Sequence, residues 1–334
     1  MAATENTMKT LYGKLQTAGY NRKYVQSLLP DWWDDAIAAS PSGYQDASIR
    51  LGNLFGVLPS TLRDPEASPV LRVPEGRRFK RQAGHEEQHL DVACALAMSA
   101  ANLVFGTLTQ PPEPVAVPDA KVIRNKLLET HQFIDFAVLL NFVWQLRIPV
   151  IFLEHLPSKT KKMAGLAFES NGSPTIVLTS GRPHGFLVFD LAHELAHIAL
   201  GHVTNGRCVV DQEIDANAED PDERAANRFA LELLTGDPDC AIVPRGRHLY
   251  GPELAAQAIR YGEKHRIDPL HVALNYGYTQ QRWPVALAAI KQLAENTPPD
   301  QVSLRQKLLA ELREHDINDD DLMTLARLTG EPVA

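Results

Sequence analysis

Apolar residues recur at mixed three- and four-residue spacing through YVQSLLPDWWDDAI (residues 24–37) and YQDASIRLGNLFGVLPSTL (44–62), interrupted by Pro30, Pro41 and Pro59. This rhythm predicts a compact helical region over residues 1–66. Its last part, LGNLFGVLPSTL, has the rhythm of the final helix pair of a helix-turn-helix repressor domain, and equally that of any small helical core. Residues 67–119 then read as linker segments around one helix. DPEASPVLRVPEGRRFKRQ is polar, proline-containing and locally basic (Arg72, Arg77, Arg78, Lys80, Arg81), the pattern of a solvated linker. A helix is expected from Glu86 to Phe105, and PPEPVAVP (111–118) is a stiff connector.

From Asp119 the pattern changes. Two helical stretches, AKVIRNKLLETH and FIDFAVLLNFVWQL, precede a short β-rich run, IPVIFL, and a second strand candidate, PTIVLTS (174–180). A helix begins between Pro183 and Asp190 and ends near Gly201, and PDERAANRFALELL (221–234) forms another, with Pro221 and Asp222 suited to its start. Beyond Pro238 the chain reads helical again, through ELAAQAIRYGEKH, PLHVALNYG, WPVALAAIKQLAE, SLRQKLLAELREH and DDDLMTLARL. The expected fold class is α+β and mostly helical. A domain at 120–240 with a small antiparallel sheet is flanked by the N-terminal helical parts and by a helical C-terminal region, 241–334.

Composition narrows the function classes. With 334 residues, 44% hydrophobic and 22% charged, the chain has the make-up of a globular protein with room for two or three compact units. A net charge of −8 disfavours nucleic-acid binding by the whole surface and leaves direct DNA binding to a local patch. Cys94, Cys208 and Cys240 are odd in number and widely spaced, as in a reducing compartment. The start MAATENTMKTLYGK has no apolar leader core, and no run of 18 apolar residues suggests a membrane span, so a cytoplasmic location is expected.

Two segments contain H-E-x-x-H: GHEEQHLD (84–91) and LVFDLAHELAHIALGH (187–202). On a helix the two histidines are about 40° apart and one turn along the axis, so both can reach one metal ion. The flanks separate the copies. His85, Glu86 and His89 sit among Arg81, Gln82, Glu87, Gln88 and Asp91, a wet helix start. His193, Glu194 and His197 sit among Leu187, Val188, Phe189, Leu191, Ala192, Leu195, Ala196 and Ile198, a helix apolar nearly all round and therefore buried. Three ionisable residues in such a helix need a reason, and a metal supplies one. The first copy reads as a decoy.

A catalytic zinc usually takes three protein ligands and a water. An extended H-E-x-x-H-x-x-G-x-x-H pattern would need Gly and His where the chain has Leu200 and Val203. His202 follows His197 by more than one helical turn, so a continuing helix points it elsewhere. It is then a helix-end residue able at most to support the ligands. Downstream, Glu223 and Asn227 lie four apart on one helix face. Glu223 can complete a His-His-Glu set, with Asn227 holding the ligands by hydrogen bonding. It can equally be an ordinary surface glutamate, and spacing does not decide. Asp190, one turn before His193, can cap or hydrogen-bond locally. Cys208 and Cys240 lie near these motifs, either as small buried hydrophobes or as a thiolate able to occupy an open metal position and keep an enzyme latent. Arg182, His184, His248 and Tyr250 also flank the motifs as candidate oxyanion donors.

FDLAHELAHIALGH, followed downstream by ERAANRFALELL, resembles the ImmA/IrrE family of zinc metallopeptidases, over roughly residues 120–240. The resemblance implies a zincin-like, gluzincin-type domain. It assigns His193, His197 and Glu223 as Zn2+ ligands and Glu194 as general base. It also suggests that the strand PTIVLTS pairs with an extended substrate. Two departures stand out: Ala225 where the family often has an acid, and Asp190 where it often has a hydroxyl residue. The implied function is a zinc endopeptidase of narrow specificity whose protein substrate is a helix-turn-helix repressor or antitoxin, cleaved to switch on stress, mobile-element or phage-defence genes. The alternatives are a non-catalytic sensing or binding protein, or a transcription regulator, on a zincin scaffold.

Overall fold

The computed structural model describes residues 7–73, 85–108, 116–158, 160, 163–170, 173–203, 208–211, 220–244 and 249–330. The N-terminal part holds α1 (Met8–Thr17), α2 (Arg22–Leu28), a 3-10 turn (Asp35–Ala39), α3 (Pro41–Leu54), α4 (Pro59–Arg63) and α5 (His85–Thr107). LGNLFGVLPSTL is thus the end of α3, a turn, and a helix of only five residues. Arg72 of the basic segment donates to the Gly52 carbonyl and the Asn53 side chain, closing the end of α3; Arg77, Arg78, Lys80 and Arg81 lie outside the described residues. Within α5, Leu90–Thr107 is long and apolar enough to cross a membrane, but most of it is buried inside the fold, as in a core helix.

The central part runs α6 (Ala120–Leu128), α7 (Phe136–Gln145), β1 (Val150–Phe152), β2 (Gly165–Ser170), β3 (Ser173–Leu178), α8 (Phe186–Ala199), β4 (Cys208–Asp211) and α9 (Pro221–Thr235). The sheet order is β1-β3-β2-β4. β2 pairs antiparallel with β3 and β4, while β1 runs parallel to β3, so the small sheet is mixed. PTIVLTS forms β3, an inner strand with both sides occupied. β2 covers one side along its length and β1 covers the other at Ile176–Leu178, so at these residues β3 has no edge for the substrate that the resemblance suggests. β2 and β4 escape the alternation pattern, because GLAFES is small at Gly165 and Ala167.

The C-terminal part is helical, as expected: α10 (Gly251–His265), α11 (Pro269–Gln280), α12 (Trp283–Leu293), α13 (Asp300–Glu314) and α14 (Asp319–Thr329). One buried apolar cluster runs from Leu11 and Leu15 of α1 through Leu191 and Leu195 of α8 to Leu325 and Leu328 of α14. Each fully buried aliphatic side chain contributes about 1.5–3 kcal/mol. The chain ends are stitched together as well: Trp32 donates to Asp320 at 2.9 Å and Arg327 pairs with Asp31 at 2.6 Å. A second cluster fills the space between α10, α11 and α12, and Phe189 of α8 packs against both.

Buried Arg124 of α6 fixes α9 in place. Its guanidinium donates to the carbonyls of Leu233 and Leu234 at the end of α9, and of His265 and Arg266 at the end of α10. Helix ends leave carbonyls without intrahelical partners, and one cation here satisfies two ends at once.

Candidate metal centre

α8 is apolar enough to be sunk between the sheet, α7, α9 and α11, which puts Asp190, His193, Glu194 and His197 in the interior. α9 starts where its sequence directs. Asp220 caps it by accepting from the Asp222 amide, Pro221 occupies the first turn, and Asp222 and Glu223 lie at its positive end. The two helices pack so that the first turn of α9 meets the second half of α8.

There the His193 and His197 Nε2 atoms are 3.1 Å apart. The Glu223 carboxylate lies 3.4 Å from the first and 3.7 Å from the second. Both histidines are fully buried and Glu223 is 7% exposed. A tetrahedral zinc with bonds of about 2.0–2.1 Å spaces its ligand atoms roughly 3.3 Å apart. The three separations bracket that value, and two neutral imidazoles with one buried carboxylate are a donor set that zinc favours. The residues fit a metal ion, and among the described residues they are the cluster able to hold one.

The chain also orients these donors. α8 ends at Gly201, whose φ of 72° reverses the backbone, with the His202 amide donating to the His197 carbonyl and the Gly201 amide to Ile198. His202 therefore leaves the helix at its expected end near Gly201, but does not point elsewhere. It folds back so that its Nδ1 meets His197 Nδ1 at 2.9 Å, while its Nε2 faces Asp222 at 3.6 Å. A carboxylate facing Nε2 favours the tautomer of His202 with its proton there, which makes Nδ1 the acceptor. His197 then carries its proton on Nδ1 and presents the Nε2 lone pair to the Glu223 side.

Residues 146–257 match the family model of the IrrE N-terminal-like domain, Peptidase_M78, a stretch that contains both α8 and the first turn of α9. This segment is similar to the IrrE N-terminal-like domain. It supports a metallopeptidase, and its α+β architecture with a metal-competent His-His-Glu cluster is zincin-like. Among curated proteins and among solved structures nothing significantly similar to the chain is found.

The IrrE-like domain places the other candidates as follows. Glu194 is fully buried beside β2, its carboxylate lying where a side chain on Gly165 would be. Asp190 is buried and paired with Arg182 at 3.4 Å. Asn227 lies one turn along α9 from Glu223 and lines, with Asp190, a neighbouring cavity. Cys240 lines the same cavity, and burial pushes its thiol pKa up, away from the thiolate a latency ligand needs. Cys208 pairs through its backbone in β4, but its side chain lies outside the described residues. The same holds for His85, Glu86 and His89, whose backbone forms the first turn of α5. Of the candidate oxyanion donors, Arg182 is engaged with Asp190 and His184 with Asp300 of α13 at 3.2 Å. Tyr250 is exposed, and His248 lies outside the described residues. Sequence reasoning missed Gly165, Asp222 as the partner of His202, and His271 of α11, which stacks on Phe189.

Proposed function

We propose that the chain is a zinc-dependent endopeptidase of narrow specificity. Its protein substrate is a helix-turn-helix repressor or antitoxin, whose cleavage switches on stress, mobile-element or phage-defence genes. The observation that carries the catalytic part is the convergence of His193, His197 and Glu223 beside buried Glu194. The resemblance of the two helix motifs carries the choice of substrate.

A zinc ion held by His193, His197 and Glu223 would supply Lewis acidity to a peptide carbonyl and to the water that attacks it. Glu194 takes the proton of that water and delivers it to the departing amine nitrogen. Gly165 leaves room for the Glu194 carboxylate, while Asp222 and His202 keep His197 in one tautomer. β4, whose Asp211 is in register with Gly165, is an outer strand of the sheet and supports an extended substrate lying along it.

The test is a trap. Zinc-loaded Glu194→Gln protein is used to capture partners, and each captured DNA-binding protein is then incubated with wild type. Capture of a helix-turn-helix protein that wild type cuts at one site, and Glu194→Gln does not, is the expected result. Cleavage by both proteins, or a captured repressor that zinc-loaded wild type leaves intact, contradicts the reading.

A further inference from the structure

A cavity of about 500 Å³ lies between α8, α9 and α11, one turn along both site helices from His193 and Glu223. Part of its wall is apolar, with Phe186 and Phe189 from α8, Leu231 from α9 and Leu274 from α11. Three arginines and two aspartates line it as well. Arg182 pairs with Asp190 at 3.4 Å and lies over the Phe186 ring, 5.8 Å from its centre. Arg228 pairs with Asp239. Arg224 is exposed and lines the same cavity, and among the described residues it has no carboxylate within ion-pair distance. The charged lining therefore carries one cation more than it balances, and that cation is Arg224.

This lining selects a ligand class. A guanidinium presents forked donors that match the two oxygens of a carboxylate, and the surplus charge attracts an anion. A neutral amide forgoes the charge, and an ammonium is repelled by it. The arrangement along α9 indicates what carries the carboxylate. Arg224, Arg228 and Leu231 are four and seven residues apart on one face of the helix, so cation gives way to apolar wall over about 10 Å. Two side chains on the same face of an extended peptide are about 7 Å apart, and the length of a glutamate side chain covers the difference.

We propose that this cavity recognises an extended peptide segment in which a glutamate lies two residues from an aliphatic side chain. The aliphatic group enters between Phe189 and Leu231, and the glutamate carboxylate sits on Arg224. The assignment rests on the peptidase reading, under which the segment belongs to the protein substrate and lies beside the metal cluster.

The test is NMR titration of full-length Glu194→Gln protein, purified under metal-replete conditions, so that the probes stay uncut. The probes are acetyl-Leu-Ala-Glu-amide and acetyl-Glu-Ala-Leu-amide, each beside its counterparts with glutamine or lysine in place of glutamate. The tighter of the two glutamate peptides should bind about fivefold more tightly than its glutamine counterpart, the upper range for an exposed ion pair, and the lysine peptide should bind most weakly. Adding Arg224→Gln should abolish the preference for glutamate over glutamine, and adding Arg224→Glu should turn the preference toward lysine. Both variants change an exposed side chain and leave the core intact. Isocaproate, an aliphatic stem and a carboxylate without a peptide, should bind more weakly than the glutamate peptide. Equal binding of the glutamate and glutamine peptides, a preference that survives Arg224→Gln, or isocaproate binding as tightly as the peptide overturns the proposal. Zinc content measured alongside keeps the two readings apart, because Arg224 is not among the metal-binding residues. A zinc-bound chain without the preference loses the pocket and keeps the peptidase reading, whereas a zinc-free chain with the preference keeps the pocket and loses the peptidase reading.

Discussion

Gly165 of β2 lies against the carboxylate of Glu194 so closely that the methyl group of an alanine would occupy the space of Oε1. The strand and the helix approach here because one of them has no side chain. The neighbouring ligands are not part of this contact, which gives a clean way to separate proton transfer from metal binding. Gly165→Ala should displace the Glu194 carboxylate and lower kcat by roughly 10²–10⁴, the usual worth of a positioned acid–base group. Zinc content should stay at the wild-type level. Full activity in this variant would show that Glu194 has another role.

Metal affinity should depend on His202 without loss of the ligands themselves. Removing a partner that orients a metal-bound histidine typically costs about 10–100-fold in affinity. His202→Ala should therefore give up zinc to a chelator at a concentration about that much lower than wild type needs, while still binding one equivalent in its absence. Asp222→Asn, which keeps the size but removes the charge facing His202, should move in the same direction by a smaller factor. Chelator competition curves that overlay wild type would remove His202 from the site.

Much of this site was legible in the chain. The apolar flanks of His193 and His197 announced a buried helix, and Asp220, Pro221 and Asp222 announced the start of the helix that carries Glu223. Gly165 was not legible, because its role exists only once a strand from earlier in the chain is laid on α8. The sequence places the end of α8 near Gly201 and allows His202 a supporting place, but not the turn back onto His197 that the positive φ of Gly201 produces. In the fold, the helices of the C-terminal part follow their period closely, whereas β2 and β4 are short and owe their pairing to a neighbour rather than to their own alternation. His271 gave no sign in PLHVALNYG, since a histidine on an apolar helix face is usually a satisfied one.

Two buried groups at the start of α11 oppose each other in their pH dependence. Burial, then the charge of Arg124, lowers the His271 pKa from 6.5 to about 4. Burial, aided by Asp135 and Asp300 and opposed by the Leu270 amide, raises the Asp268 carboxyl from 3.8 to about 7. Between about pH 4 and 6.5 the unfolded chain binds a proton at residue 271 that the folded chain refuses, so this contribution is lost as pH falls. At residue 268 the folded chain keeps a proton that the unfolded chain has released, so that contribution is lost as pH rises toward 7. Each is about 3–4 kcal/mol. Relative to wild type, His271→Leu should gain stability as pH falls from 7 to 4.5, and Asp268→Asn should gain as pH rises over the same range. Urea unfolding at several pH values checks this, and parallel profiles for all three proteins would contradict it.

Arg124 should be structural in effect although it lies far from the chemistry. Arg124→Met keeps the length and removes the donors to the ends of α9 and α10, leaving buried carbonyls unsatisfied. The loss should be about 3 kcal/mol or more in denaturant unfolding. Arg124→Lys should recover only part of it, because one ammonium cannot span both helix ends. A change within about 0.5 kcal/mol for Arg124→Met would mean that the ends are held by other contacts.

The measurement that bears most directly on the central claim is the zinc content of purified protein under metal-replete conditions, for wild type beside His193→Ala, Glu223→Ala and His85→Ala. The account predicts close to one zinc per chain in wild type and in His85→Ala, and loss of bound zinc in His193→Ala and Glu223→Ala. Zinc lost only in His85→Ala, or a wild-type chain that binds none, would contradict it.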